Sequence, residues 1–142
     1  MSNTRTMFAT LALGAAFAFT GPAFAEKMIV ALDGASEVPP NTSPGKGTAD
    51  VDYDAATKKL SWKLSYSGLS GPATAAHFHG PAEPDKNAGV AVAIPNATSS
   101  PAEGSATLTD AQAADLTAGK YYINVHTAAN PGGELRGQVV KK

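Results

Sequence analysis

Along much of the chain apolar residues recur at every second position in short runs, and clusters of Gly, Pro, Asn and Ser separate the runs. A period of two is that of a strand with one buried face. The clearest run alternates Leu60, Trp62, Leu64 and Tyr66 with Ser61, Lys63 and Ser65. Just before it Val51 and Tyr53 alternate with Asp50, Asp52 and Asp54, and residues 55–59 are few enough to close a hairpin between the two. Further strands are predicted over 28–32, 75–79, 89–94, 104–108, 121–126 and 135–140, which makes about eight. A short helix is predicted over 109–118, with Thr109 as cap, Gln112 at the capping-box position and Gly119 closing the end. Many short strands with turn signals between them point to an all-β fold, a Greek-key-like antiparallel β-sandwich or barrel of about eight strands with one short helix. Trp62, Tyr66 and Phe78 are expected in its core.

Two stretches lack strand pattern. Residues 34–47 hold three prolines, and 81–88, directly after His79, hold two more. Both are expected to be loops, where binding groups collect on a rigid scaffold.

The first residues carry a different signal. Arg5 precedes an apolar run over 7–19, which ends in Gly21, Pro22 and the small-residue tripeptide Ala23-Phe24-Ala25. That is the pattern of a secretory signal peptide cleaved after Ala25, and the run is too short for a membrane span. The expected division is a leader over 1–25 and one β domain over 26–142, located in the periplasm or secreted. Without Arg5 the domain carries 10 basic and 12 acidic side chains, a formal charge of −2. Such a balance gives no basis for a nucleic-acid or anionic-membrane partner. An exposed edge strand would offer a route to a homodimer.

The chain has no cysteine. Its stability therefore comes from packing and hydrogen bonds, and a metal site would have to be built from imidazole, carboxylate, amide or thioether groups. Asp50, Asp52 and Asp54 alternate like calcium ligands, but the later glycine and glutamate of a calcium hand are missing. There is also no Gly-x-Ser-x-Gly elbow for a hydrolase.

The three histidines are His77, His79 and His126. In a strand, His77-Phe78-His79 sets two imidazoles side by side on one face and turns Phe78 to the other. His126 shares a face with Tyr122 and Asn124, opposite Ile123 and Val125. All three imidazoles thus point away from the predicted core, and two are spaced to chelate one ion. Imidazole suits zinc, copper, iron and nickel alike, so the ligands alone leave the metal open.

Four blocks carry a resemblance: Leu32-Asp33-Gly34-Ala35-Ser36-Glu37-Val38-Pro39-Pro40, Ala76-His77-Phe78-His79-Gly80, Tyr122-Ile123-Asn124-Val125-His126-Thr127, and the segment from Asn130-Pro131-Gly132-Gly133-Glu134 through Leu135-Arg136-Gly137-Gln138-Val139. In this order they resemble the CHRD domain, named after chordin. The His-x-His pair, the late Val-His and the Gly-rich segment with its arginine also bear a fainter similarity to copper/zinc superoxide dismutases. That second resemblance implies His77, His79 and His126 as copper ligands and Arg136 as a catalytic arginine that guides a small anion such as superoxide. The zinc-site histidines, the bridging histidine and the disulfide of that family are missing, so one copper ion per chain and no zinc is the expectation. Glu37, Glu134, Tyr122 and Asn124 are candidates for the shell around the ligands; Glu134 lies two residues from Arg136 and could pair with it or orient a histidine. The function expected is an exported copper-binding protein acting as a copper-only superoxide dismutase. The alternatives are a copper chaperone, buffer or resistance protein without turnover, against which the single mature methionine, Met28, argues mildly, and a structural or interaction module.

Overall fold

The computed structural model describes residues 25–141; the leader predicted over 1–25 lies almost wholly outside them. Eight strands form one antiparallel sheet curled into a nearly closed barrel. They are β1 (Glu26–Asp33), β2 (Lys46–Asp54), β3 (Lys59–Ser67), β4 (Ala73–His79), β5 (Val90–Ala93), β6 (Ala102–Thr107), β7 (Tyr121–Thr127) and β8 (Leu135–Val139), with helix α1 (Asp110–Thr117) between β6 and β7. Around the sheet the order is β5-β4-β7-β8-β1-β2-β3-β6. Among the described residues no helix is long and apolar enough to cross a membrane.

Alternation decides which residues enter the barrel. Met28, Val30 and Leu32 of β1, Ala49, Val51 and Tyr53 of β2, and Leu60, Trp62 and Leu64 of β3 are all buried inside, while the residues between them face out. The β2–β3 hairpin pairs Val51 with Trp62 and Tyr53 with Leu60 as the pattern predicts. Trp62 meets the fully buried Phe78 edge to face, with ring centroids 5.2 Å apart. Tyr66 is only half-buried; it lies at the rim, where its hydroxyl donates to the Ala97 carbonyl.

The helix is capped as its sequence specifies. Thr109 Oγ1 accepts from the Gln112 backbone N–H, and the Gln112 side chain accepts in turn from the Thr109 N–H. Gly119 follows the helix with φ of 75°, a left-handed conformation that glycine adopts without steric cost.

Strand limits shift by a residue or two from those expected. The largest difference is at β2, which begins at Lys46 inside the segment expected to be loop. Thr48 and Lys46 pair with Ala31 and Asp33, so backbone ladder bonds extend the strand beyond its hydrophobic alternation.

Candidate metal centre

On β4, β7 and β8 the outward face is covered as well as the inward one. Tyr122, Asn124 and Arg136 point away from the core, yet all three are buried. The cover consists of three loops: residues 34–45, 80–89 and 128–134. Register puts the site together beneath them. His79 lies opposite Tyr122, His77 opposite Asn124, and Ala75 opposite His126, where the small alanine leaves room for the imidazole.

The three imidazoles therefore converge. Each offers a ring nitrogen, and these nitrogens lie within 4.8 Å of one another. Two of the rings have their tautomer fixed by backbone carbonyls, which can only accept. His79 Nδ1 donates to the Ala88 carbonyl and His126 Nδ1 donates to the Pro131 carbonyl, each at 2.9 Å. In the neutral ring the opposite nitrogen, Nε2, is then a bare lone pair. The Nε2 of His79 is buried and has no hydrogen-bond partner. The Nε2 of His126 faces His77 Nδ1 at 3.1 Å, so a single shared proton lies between those two rings.

Burial lowers the pKa of His77, and the neighbouring His126 and His79 lower it further. Burial also lowers that of His79, against a smaller opposing contribution from the Ala88 bond. Neutral imidazole is the ligand form, so both effects favour binding a cation. Nitrogens sharing one ion at about 2.0–2.1 Å stand at most about 4 Å apart. The set fits such an ion with a closing movement of under about 1 Å.

Tyr122 and Arg136 hold the wall of the site. The Tyr122 ring stacks on His79, with centroids 4.9 Å apart and planes within 5°. The Arg136 guanidinium lies 3.5 Å from the centre of the same ring. Because β7 runs between β4 and β8, the tyrosine is sandwiched between the two. Arg136 also donates to Asn87 Oδ1 at 3.0 Å, to the Lys86 carbonyl at 2.7 Å and to the Glu83 carbonyl at 3.3 Å. It thereby pins the loop whose next residue, Ala88, orients His79, while the Tyr122 hydroxyl bonds both the N–H and the carbonyl of Ala88. The alternation that turns Leu135 inward and Arg136 outward holds, but the arginine is only 1% exposed and both of its terminal nitrogens donate to the loop.

Glu134 stands elsewhere. Its carboxylate accepts from Ser43 Oγ, the Ser70 N–H, Ser70 Oγ and Thr127 Oγ1, at 2.6–2.8 Å. The expected pairing with Arg136 and the alternative of orienting a histidine are both corrected by these bonds. Glu134 precedes β8 in a bend, so strand alternation does not govern it, and its side chain ties the 43 and 70 loops to the end of β7. Burial alone would raise its pKa, but the four donors outweigh this and hold it at about 2. Since the folded value lies below the ordinary 4.5, its contribution to stability is complete above about pH 4.5 and is lost as pH falls towards about 2. Glu134→Gln should cost about 2–4 kcal/mol at neutral pH, because one oxygen becomes a donor facing donors. Urea unfolding of both forms from pH 7 to pH 3 should show the difference shrinking as the pH falls.

Glu37 comes from the 34–45 loop and is buried, with its Oε1 accepting from Asn124 Nδ2 at 3.4 Å. Burial raises its pKa and the nearby Arg136 charge pulls it back down. Gly133, at φ of 131°, makes that contact possible: a Cβ there would lie 2.3 Å from both Asn124 Nδ2 and Glu37 Oε1. Sequence pattern found the histidines but missed the Tyr122 stack and the carbonyls of Ala88 and Pro131. The latter come from loop backbone, which no residue type announces. A cavity of about 450 Å³ reaches Glu37 and Arg136 but none of the histidines.

The CHRD domain profile matches residues 28–139, from β1 to the end of β8. The chain belongs to the CHRD domain family. Within this CHRD domain all three histidines, both covering carbonyls, Tyr122 and Arg136 fall inside the matched span. No curated protein and no solved structure matches the chain.

Proposed function

We propose that this CHRD protein is an exported copper-binding protein that holds one copper ion on His77, His79 and His126. The observation that carries the reading is the convergence of three imidazoles, two of them locked at Nδ1 by carbonyls so that Nε2 faces the common point, bare on His79 and bonded to His77 on His126. Fixed tautomers of this kind are how proteins orient histidine ligands. Copper is favoured among divalent ions by the affinity order for nitrogen sites, and a set without thiolate or carboxylate leaves it free to take either common oxidation state. The leader pattern ending at Ala25 supports the export part of the reading.

Holding the ion is the primary role in this reading. Superoxide dismutation is the second, favoured by the half-burial of His77 and His126, which leaves the cluster open to a small anion. Copper would supply the one-electron chemistry; the chain's part is to present neutral imidazoles and keep the 80–89 loop in place. Arg136 in this account acts by positioning that loop.

The two roles separate experimentally. Titrating the purified 26–142 domain with Cu(II) should give one equivalent bound, with an EPR spectrum showing nitrogen couplings from imidazole. A superoxide-consumption assay on the same sample then decides turnover. Copper bound without consumption keeps the holding role and removes the enzyme; failure to bind one equivalent removes both.

A further inference from the structure

The Asn124 side chain is not used by the three-histidine reading, although it stands in the middle of that face. It is directly opposite His77 and two residues before His126 on the same strand. It is 2% exposed. Its amide orientation is fixed: Nδ2 donates to the Gly132 carbonyl at 3.2 Å and to Glu37 Oε1 at 3.4 Å, and the Gly132 carbonyl can only accept. Oδ1 is consequently turned the other way. It is buried and receives no hydrogen bond. A buried carbonyl oxygen without a donor is costly unless something else meets it. Of the other orphans on the outward face, Gln138 Oε1 and His79 Nε2, the latter belongs to the histidine cluster and is also an acceptor in the tautomer that Ala88 imposes, so it and Asn124 Oδ1 cannot satisfy each other. Two lone pairs without a proton between them call for a cation.

We infer that Asn124 Oδ1 is the fourth ligand of the metal centre, giving a three-nitrogen, one-oxygen donor set. This rests on the copper reading above and names the group that fills its remaining position. Glu37 and the Gly132 carbonyl act through Asn124 as positioning groups, and Gly133 provides the space that their contact requires. Amide oxygen is a hard donor, better matched to Cu(II) than to Cu(I). The three imidazoles accept either oxidation state, and the added oxygen shifts the balance towards the oxidised ion.

The test uses Cu(II) on the 26–142 domain labelled with 13C only at the asparagine side-chain carbonyl. Among the described residues Asn124 is the one asparagine on the two strands that carry the histidines, so pulsed EPR should show a single strongly coupled 13C. In parallel, Asn124→Ala should weaken Cu(II) binding by at least about tenfold, with Cu(I) affinity changed much less. Nitrogen couplings from three imidazoles without any 13C coupling would overturn the inference and leave the histidine site standing. Absence of nitrogen couplings would sink the copper reading itself. The labelled wild-type measurement decides the matter even if the alanine variant does not fold.

Discussion

Replacing His79 with alanine is expected to abolish stoichiometric copper binding while leaving the barrel folded. The imidazole lies on the outward face of β4, against Tyr122 and under the 80–89 loop, so its loss removes no inward-facing core contact. What disappears is the one imidazole nitrogen of the three rings that is both buried and unpartnered. Two imidazole ligands would remain, His77 and His126, already joined to each other at 3.1 Å. A two-imidazole site lacks the third fixed nitrogen, and affinity should fall by a factor of 100 or more, on the order of 3 kcal/mol or above. Competition against a chelator of known affinity measures this directly, and circular dichroism checks the fold. Retention of wild-type affinity in His79→Ala would remove that residue from the site.

The second large effect is expected at Arg136. Its guanidinium is buried, stacks on Tyr122 and donates to three groups of the 81–89 loop. Arg136→Met keeps the aliphatic volume but removes every one of those bonds, leaving the Lys86 carbonyl and the Asn87 side chain without their donor and Glu37 without its compensating charge. Destabilisation of about 3 kcal/mol or more is expected, which for a domain of this size lowers the melting temperature by roughly 10 °C. Arg136→Lys should recover little, because an ammonium neither stacks flat on the tyrosine nor reaches three acceptors from one plane. Hydrogen exchange should quicken first in the 81–89 loop. A variant as stable as the wild type, with an unchanged loop, would show that the guanidinium does not hold it.

These two positions illustrate what the chain discloses in advance. The strands, the hairpin register of β2 and β3 and the cap at Thr109 are legible because each depends on neighbours a few residues away. The outward placement of His77, His79 and His126 is legible for the same reason, since period-two alternation fixes the face of every strand residue. Arg136 obeys alternation too, yet what its guanidinium touches is decided by a loop some fifty residues distant in sequence. Glu134 shows the opposite case. Its spacing from Arg136 points to a shared face, but it stands in a bend before β8 and is claimed by Ser43, Ser70 and Thr127. The burial of Asn124 was equally hidden, because the residues covering it come from loops whose path follows tertiary packing.

The most direct test of the central claim is the metal content of this CHRD protein, expressed as the full chain with the leader expected over residues 1–25, without a histidine tag, and purified without added metal. Mass spectrometry of the intact protein and elemental analysis should find about one copper per chain, and none in the His77→Ala, His79→Ala, His126→Ala variant. Zinc at full occupancy, or no metal in either protein after exposure to copper, would contradict the account.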